Sequence, residues 1–233
     1  MCDTIAPWEH GTAVRCTALP DFWSYNSLRV EGARPLPGSD ALAHAADRLQ
    51  GDLGHRHIEV EDEAAGARLR PGFNTLGWVA ERLVWMRLDG PPPDGPDFEE
   101  VPFEATRELR LAWTRTAAWA TGEETALRFS ELEEAVARIR GSRALLARDA
   151  SGAPAGFAIF QARASGAEVE QAYVVPELRG HGTGGALVAA AARAAEADQT
   201  FIVADDEGDP KRLYLRLGFT PVWLQHVFTR RPG

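Results

Sequence analysis

The apolar positions fall into two rhythms, short alternating runs and longer runs of helical period. Residues 40–50 carry Leu42, Ala45, Ala46 and Leu49 on one helical face, with Ser39 or Asp40 available as the cap. Residues 103–119 repeat the pattern through Leu109, Ala112, Trp113 and Thr116. Residues 130–139 predict another helix, in which Ser130 and Glu133 have the spacing of a capping box. Helical runs also cover 182–197 and 210–217, and a helix-like stretch leads to Phe73. Strand-like runs occupy 12–19, 22–30, 56–61, 81–88, 143–147, 155–161, 168–175, 200–204 and 222–229. Those at 143–147 and 155–161 flank Asp149-Ala150-Ser151-Gly152, a turn sequence that predicts a hairpin. Hairpins mixed with crossovers predict an α/β chain of α+β type.

The run Gly90-Pro91-Pro92-Pro93-Asp94-Gly95-Pro96 interrupts both rhythms, because successive prolines fix φ and remove N–H donors. It marks 91–97 as a linker between residues 1–90 and 98–233. Phe73-x-x-Leu76-Gly77-Trp78 returns as Tyr214-x-x-Leu217-Gly218-Phe219, offset by 141 residues throughout. Each copy follows an acidic cluster, Glu61-Asp62-Glu63 or Asp205-Asp206-Glu207, and each precedes a strand-like run. The repeat predicts a duplication. It also fits two helices that each end at a capping glycine among aromatics.

Charge narrows the partners. The 233 residues are 45% hydrophobic and 25% charged, which excludes bulk disorder, and the net charge of −9 has no basic block to attract phosphate backbones or anionic lipid. Small molecules are therefore the expected partners, with neither nucleic acid nor membrane. Two cysteines, Cys2 and Cys16, build no disulfide framework, and the first residues lack a signal-like apolar run, so a cytoplasmic location is expected. His55 and His57 lack a third ligand at metal spacing, and no metal is expected.

The strongest chemical signal is Arg179-Gly180-His181-Gly182-Thr183-Gly184-Gly185 running into an alanine-rich helix. Glycines let several N–H groups converge on one anion, the helix N-terminus adds partial positive charge, and Arg179 adds a full one. A diphosphate suits such a loop. Gly180-x-Gly182-x-x-Gly185, with Asp205 twenty residues beyond Gly185, also spells a dinucleotide fingerprint and keeps a nicotinamide oxidoreductase as an alternative. Against it, Pro176-Glu177-Leu178-Arg179 separates the loop from its strand, and 48 residues after Gly185 are too few for a doubly wound fold.

Arg179-x-x-Gly182-x-Gly184 resembles the acyl-CoA signature of the GNAT acyltransferase superfamily, and Tyr173-Val174-Val175-Pro176-Glu177-Leu178 resembles its approach strand and turn. Tyr214-x-x-Leu217-Gly218-Phe219 is similar to that family's C-terminal motif, at the expected distance downstream. The resemblance implies a seven-stranded, mixed, mostly antiparallel sheet flanked by helices. That sheet splays between strand 168–175 and strand 200–204. It implies acetyl-CoA as co-substrate, with pantetheine along Val174 and Val175 and the diphosphate on Arg179, Gly180, His181, Gly182, Thr183 and Gly184. Direct transfer to a primary amine is implied, with Tyr214 as the acid for the departing thiolate. Glu170 is implied as the base through water, Glu168 less so. Many members carry an Asn before the tyrosine; here 205–213 contains none.

Residues 1–90 lack the Arg-x-x-Gly-x-Gly loop and place Phe73 where the tyrosine would stand. They are expected to be a degenerate second copy, giving a tandem that is either a monomer with an internal pseudo-dimer or a homodimer. A non-catalytic acyl-CoA sensor remains the other alternative.

Overall fold

The computed structural model describes residues 3–31, 36–117, 119–120 and 122–231. The first ninety residues supply β1 (Thr4–Trp8), β2 (Gly11–Arg15), β3 (Leu28–Val30), β4 (Arg56–Val60) and β5 (Val79–Asp89). Helix α1 (Ser39–Leu49) joins β3 to β4, and α2 (Glu63–Thr75) joins β4 to β5. After the proline run come β6 (Glu99–Val101), a 3-10 turn over Phe103–Thr106, α3 (Arg107–Thr114) and α4 (Glu123–Arg140). The chain continues through β7 (Arg143–Arg148), β8 (Pro154–Arg163), β9 (Gly166–Val174) and α5 (Thr183–Ala194). It closes with β10 (Gln199–Asp205), α6 (Asp209–Arg216) and β11 (Thr220–Arg230).

All eleven strands form one sheet in the order β1-β2-β3-β4-β11-β5-β10-β9-β8-β7-β6. Only β3 with β4 and β9 with β10 run parallel, and each of those pairs is bridged by one helix, α1 or α5. The remaining neighbours are antiparallel. The mixed, mostly antiparallel sheet is the expected one, but eleven strands replace the expected seven because both halves share it. At the centre the halves exchange their last strands. β11 lies between β4 and β5, with His226 opposite Val60, while β5 lies between β11 and β10, with Val84 opposite Ala204.

The exchange extends to the cores. Val84, Met86 and Leu88 of β5 pack with Ile202, Val188 and Phe219 of the C-terminal half, whereas Phe228 of β11 packs with Ile58, Leu69 and Phe73 of the N-terminal half. Burying an apolar side chain of this size contributes about 1.5–3 kcal/mol, so neither core is complete without the other half. Gly66 lets α2 close onto β11, since a Cβ there would fall 2.4 Å from the His226 ring.

The repeated motif has one geometry twice. The N–H of Trp78 donates to the carbonyl of Phe73 and that of Phe219 to Tyr214, each at 3.0 Å, around Gly77 at φ 77° and Gly218 at φ 92°. Both are helix ends closed by a left-handed glycine.

Several local expectations are corrected. Residues 22–30 are not one strand: Trp23–Tyr25 forms a 3-10 turn and the strand begins at Leu28. The N-cap of α1 is Gly38, without a side-chain cap. Ser130 caps nothing, because α4 begins at Glu123 and the Ser130 hydroxyl, buried within it, accepts from Arg110 Nη1 at 3.3 Å. The predicted helix over 103–119 ends at Thr114, and Trp119 packs instead on Phe22 and Phe129. The acidic cluster at 205–207 is held in ion pairs. Asp206 is buried in ion pairs with Arg82 and Lys211, and Glu207 meets Arg70 at 2.8 and 3.2 Å. Burial raises the Asp206 carboxyl, but those two cations outweigh it and hold its pKa below the ordinary value.

A chain restricted to residues 93–233 lacks β5 and leaves facing edges on β10 and β11. It is expected to elute from size-exclusion chromatography as aggregate or larger oligomer, and elution as a stable monomer would contradict the exchange.

Candidate active site

Strand β9 holds β10 only briefly. Ala167, Glu168 and Val169 face Thr200, Phe201 and Ile202, after which the strands part. Beyond that point β9 follows β8, with Ala158, Phe157 and Gly156 opposite Ala172, Tyr173 and Val174, while β10 follows β5. Each strand thus satisfies its hydrogen bonds on its outer side, and the space between them opens.

Two cavities adjoin this gap. The first, of about 770 Å³, is bounded by Ala172, Tyr173 and Val174 of β9, the loop 178–185 and Tyr214 of α6. Gly180 at φ 83° and Gly182 at φ 85° occupy the left-handed region, and a Cβ on either would meet nothing within 4 Å. The loop is therefore an open cradle at the start of a twelve-residue helix, and its backbone fits a diphosphate. Arg179 is folded back, its Nε donating to the Val174 carbonyl at 2.9 Å and its guanidinium 5.5 Å from the Tyr173 ring centre. Val175 is turned to its own chain, donating to Ala155 at 2.9 Å and accepting from Leu178 at 3.0 Å. His181 is exposed and does not line the cavity. Tyr214 does line it, and burial pushes its phenol pKa up, so the hydroxyl keeps its proton at neutral pH. Tyr214 also belongs to the core cluster against which Leu213 and Leu217 pack. In the segment without Asn, Asp209 and Pro210 form the wall.

The second cavity, of about 240 Å³, lies on the opposite face of the sheet. Ala158 and Phe160 of β8 face the core under α5, whereas Phe157 and Ile159 face Trp113 of α3. Glu168 and Glu170 reach this second cavity by alternation along β9, and a bulge, with Val169 opposite Phe160 and Gln171 opposite Ile159, brings Gln171 to the same face. Glu170 is left without a partner across the ladder. Its carboxylate meets Arg140 Nη1 at 2.9 Å and the Ser142 hydroxyl at 3.2 Å. Glu170 and Tyr214 therefore face different cavities, which meet along β9 at the consecutive residues Gln171 and Ala172.

Sequence reasoning missed Glu133. It lines the second cavity and bonds Arg110 Nη1 at 2.8 Å. Arg110 is fully buried, with Thr106 at 3.0 Å, Glu134 at 3.0 Å and the Phe103 ring centre at 4.4 Å. Burial raises the Glu133 carboxyl to about 7 against the opposing pull of Arg110. The only signal in the sequence was its helical spacing, which could not say what it would face.

His57 bonds the Thr229 hydroxyl at 2.8 Å, and His55 is buried, which lowers its pKa to about 4. Among the described residues no group of three His, Cys, Asp or Glu side chains could hold a metal ion. None of their helices is long and apolar enough to cross a membrane.

A mostly antiparallel sheet parted at a parallel pair, with a glycine cradle at the head of the crossover helix, is not a doubly wound dinucleotide-binding fold. Residues 140–221 match the family model of the acetyltransferase (GNAT) domain. Among solved structures, a functionally unknown conserved protein from Staphylococcus epidermidis is 15% identical with a TM-score of 0.76, over 100% of this chain and 95% of that one. A GCN5-related N-acetyltransferase from Sphaerobacter thermophilus is 17% identical with a TM-score of 0.59, over 83% and 68%. A tandem GNAT protein from the clavulanic acid biosynthesis pathway is 19% identical with a TM-score of 0.52, over 89% and 75%. At these identities the likeness is one of fold. No curated protein matches the sequence.

Because space is open beside Gly182, its replacement by alanine tests backbone conformation alone. Gly182→Ala is expected to lower stability by about 1–2 kcal/mol, the cost of a left-handed L-residue, read from the urea midpoint. An unchanged midpoint would mean that the loop does not hold this conformation.

Proposed function

We propose that the chain is an N-acetyltransferase that moves an acetyl group from acetyl-CoA directly to a primary amine. One observation carries the reading: the glycine cradle, the free reach of β9 and the protonated Tyr214 all wall a single cavity. The backbone of Arg179, Gly180, Gly182, Thr183 and Gly184 would receive the diphosphate, with His181 beside it and Val174 and Val175 along the pantetheine. Arg179 exchanges the Val174 carbonyl for phosphate. The thioester supplies an activated acyl carbon at the gap between the strands.

The amine nitrogen bonds to the acetyl carbon as the carbon–sulfur bond breaks. The ammonium proton passes through water to the Glu170 carboxylate, and the Tyr214 hydroxyl gives its proton to the departing sulfur. The nitrogen gives up its second proton through water as the amide forms, and the phenolate regains a proton from that water. Glu170 approaches the amine from the second cavity and Tyr214 approaches the thiolate from the first, so base and acid act from opposite faces of the sheet.

In this reading residues 98–233 form the acetyl-CoA-binding domain, 91–97 the linker and 1–90 a degenerate copy without the cradle. The protein is a cytoplasmic monomer whose pseudo-dimer interface is internal, and it engages neither nucleic acid nor membrane.

Isothermal calorimetry with acetyl-CoA, and NADH as control, tests the donor. One-to-one acetyl-CoA binding is expected, whereas binding of NADH alone would overturn the reading. Tyr214→Phe is expected to leave acetyl-CoA binding unchanged and to slow turnover by about 10²-fold. Unchanged binding without measurable turnover in either protein would favour an acyl-CoA sensor.

A further inference from the structure

The second cavity is built from two unlike ends. Phe103, Trp113 and Ile159 make an apolar wall, and Glu133, Glu168 and Glu170 gather at the other end. The carboxylates are not equally satisfied. Glu133 meets Arg110 at 2.8 Å and Glu170 meets Arg140 at 2.9 Å, but Glu168 has only the amide of Gln161, at 3.2 Å. Beside them Gln171 Nε2 is buried without a hydrogen bond. Tyr25, from the N-terminal half, completes the wall. The cavity, of about 240 Å³, therefore offers negative charge at its polar end, and Arg140, the one cation among its described lining residues, is paired with Glu170.

We propose that the acceptor is a compact primary ammonium compound bearing one apolar group. Glu168 receives its ammonium, Phe103 and Trp113 cover its apolar body, and Tyr25 limits its length. This rests on the acyl-transfer reading and narrows it. An aminoglycoside or a peptide chain exceeds the space. A diamine would have to strip the water from a second ammonium at the apolar end beside Ile159, and an amino acid would bring its carboxylate beside three others.

Proton linkage supports the assignment. Burial and then Glu170 raise the Glu168 carboxyl, and burial raises that of Glu133 to about 7. The charged groups around them are Arg110 from α3, Glu134 and Arg140 from α4, and Glu170 from β9, with Arg163 of β8 acting on Glu168. The Glu133 carboxyl is ionised only as pH climbs through about 7, which adds negative charge beside Glu168, so ammonium binding strengthens between pH 6 and pH 8.

Calorimetry on the full chain saturated with unacetylated CoA compares 2-phenylethylamine, the neutral 2-phenylethanol and 1,4-diaminobutane. 2-Phenylethylamine is expected to bind one-to-one, about tenfold or more tighter than either of the others and tighter at pH 8 than at pH 6. Glu168→Gln and Tyr25→Ala are each expected to weaken it about fivefold or more while leaving acetyl-CoA affinity unchanged. Equal binding of the alcohol, preference for the diamine, or indifference to both variants would overturn the proposal. If acetyl-CoA binds but no amine does, this proposal fails and the donor assignment stands. If neither acetyl-CoA nor CoA binds, the acyl-transfer reading fails, and the amine series on the free protein still decides the cavity's preference.

Discussion

The pairing of β5 with β11 is the interaction on which the rest of the molecule depends. Each strand belongs to one half by sequence and to the other half's core by packing, as Val84 and Met86 beside Ile202 and Phe228 beside Phe73 show. A tandem of independent domains would meet through polar surfaces and could move. Here the sheet runs unbroken through the junction, and Arg82 with Asp206 and Arg70 with Glu207 tie its margin.

The site inherits its shape from that pairing. Because β5 pairs the outer edge of β10 and β8 that of β9, both strands stay in the sheet as they part, and the backbone groups on their inner edges face the gap. The parted strands, the cradle heading α5 and Tyr214 on α6 then share one cavity. Alternation along β9 turns Glu168 and Glu170 toward the opposite face, and the bulge at Glu170 adds Gln171 there, where α3 and α4 provide the roof. A single strand thus lines both cavities, and it does so at consecutive positions.

Much of this was legible in the sequence because it is local. The hairpin β7–β8, the glycine cradle and the helix-ending glycines at 77 and 218 follow from turn chemistry and spacing. The boundaries that failed did so where distant partners decided them: Arg110 reaches Ser130 from another helix, so the apparent capping box lies mid-helix. Nothing local in the sequence reveals that Arg82 will meet Asp206. Glu133 was hidden for the same reason. The strand exchange had one trace, the 141-residue repeat, which signals likeness of the halves but not how they interlock.

Native-state hydrogen exchange on the whole chain tests the interlocking most directly. The amides of Val84 and Met86 in β5 and of Leu224 and Val227 in β11 should share a single opening free energy, equal to that of global unfolding. Exchange of the β5 amides through a lower-energy opening, with β8, β9 and β11 still protected, would show two separable domains and contradict the account.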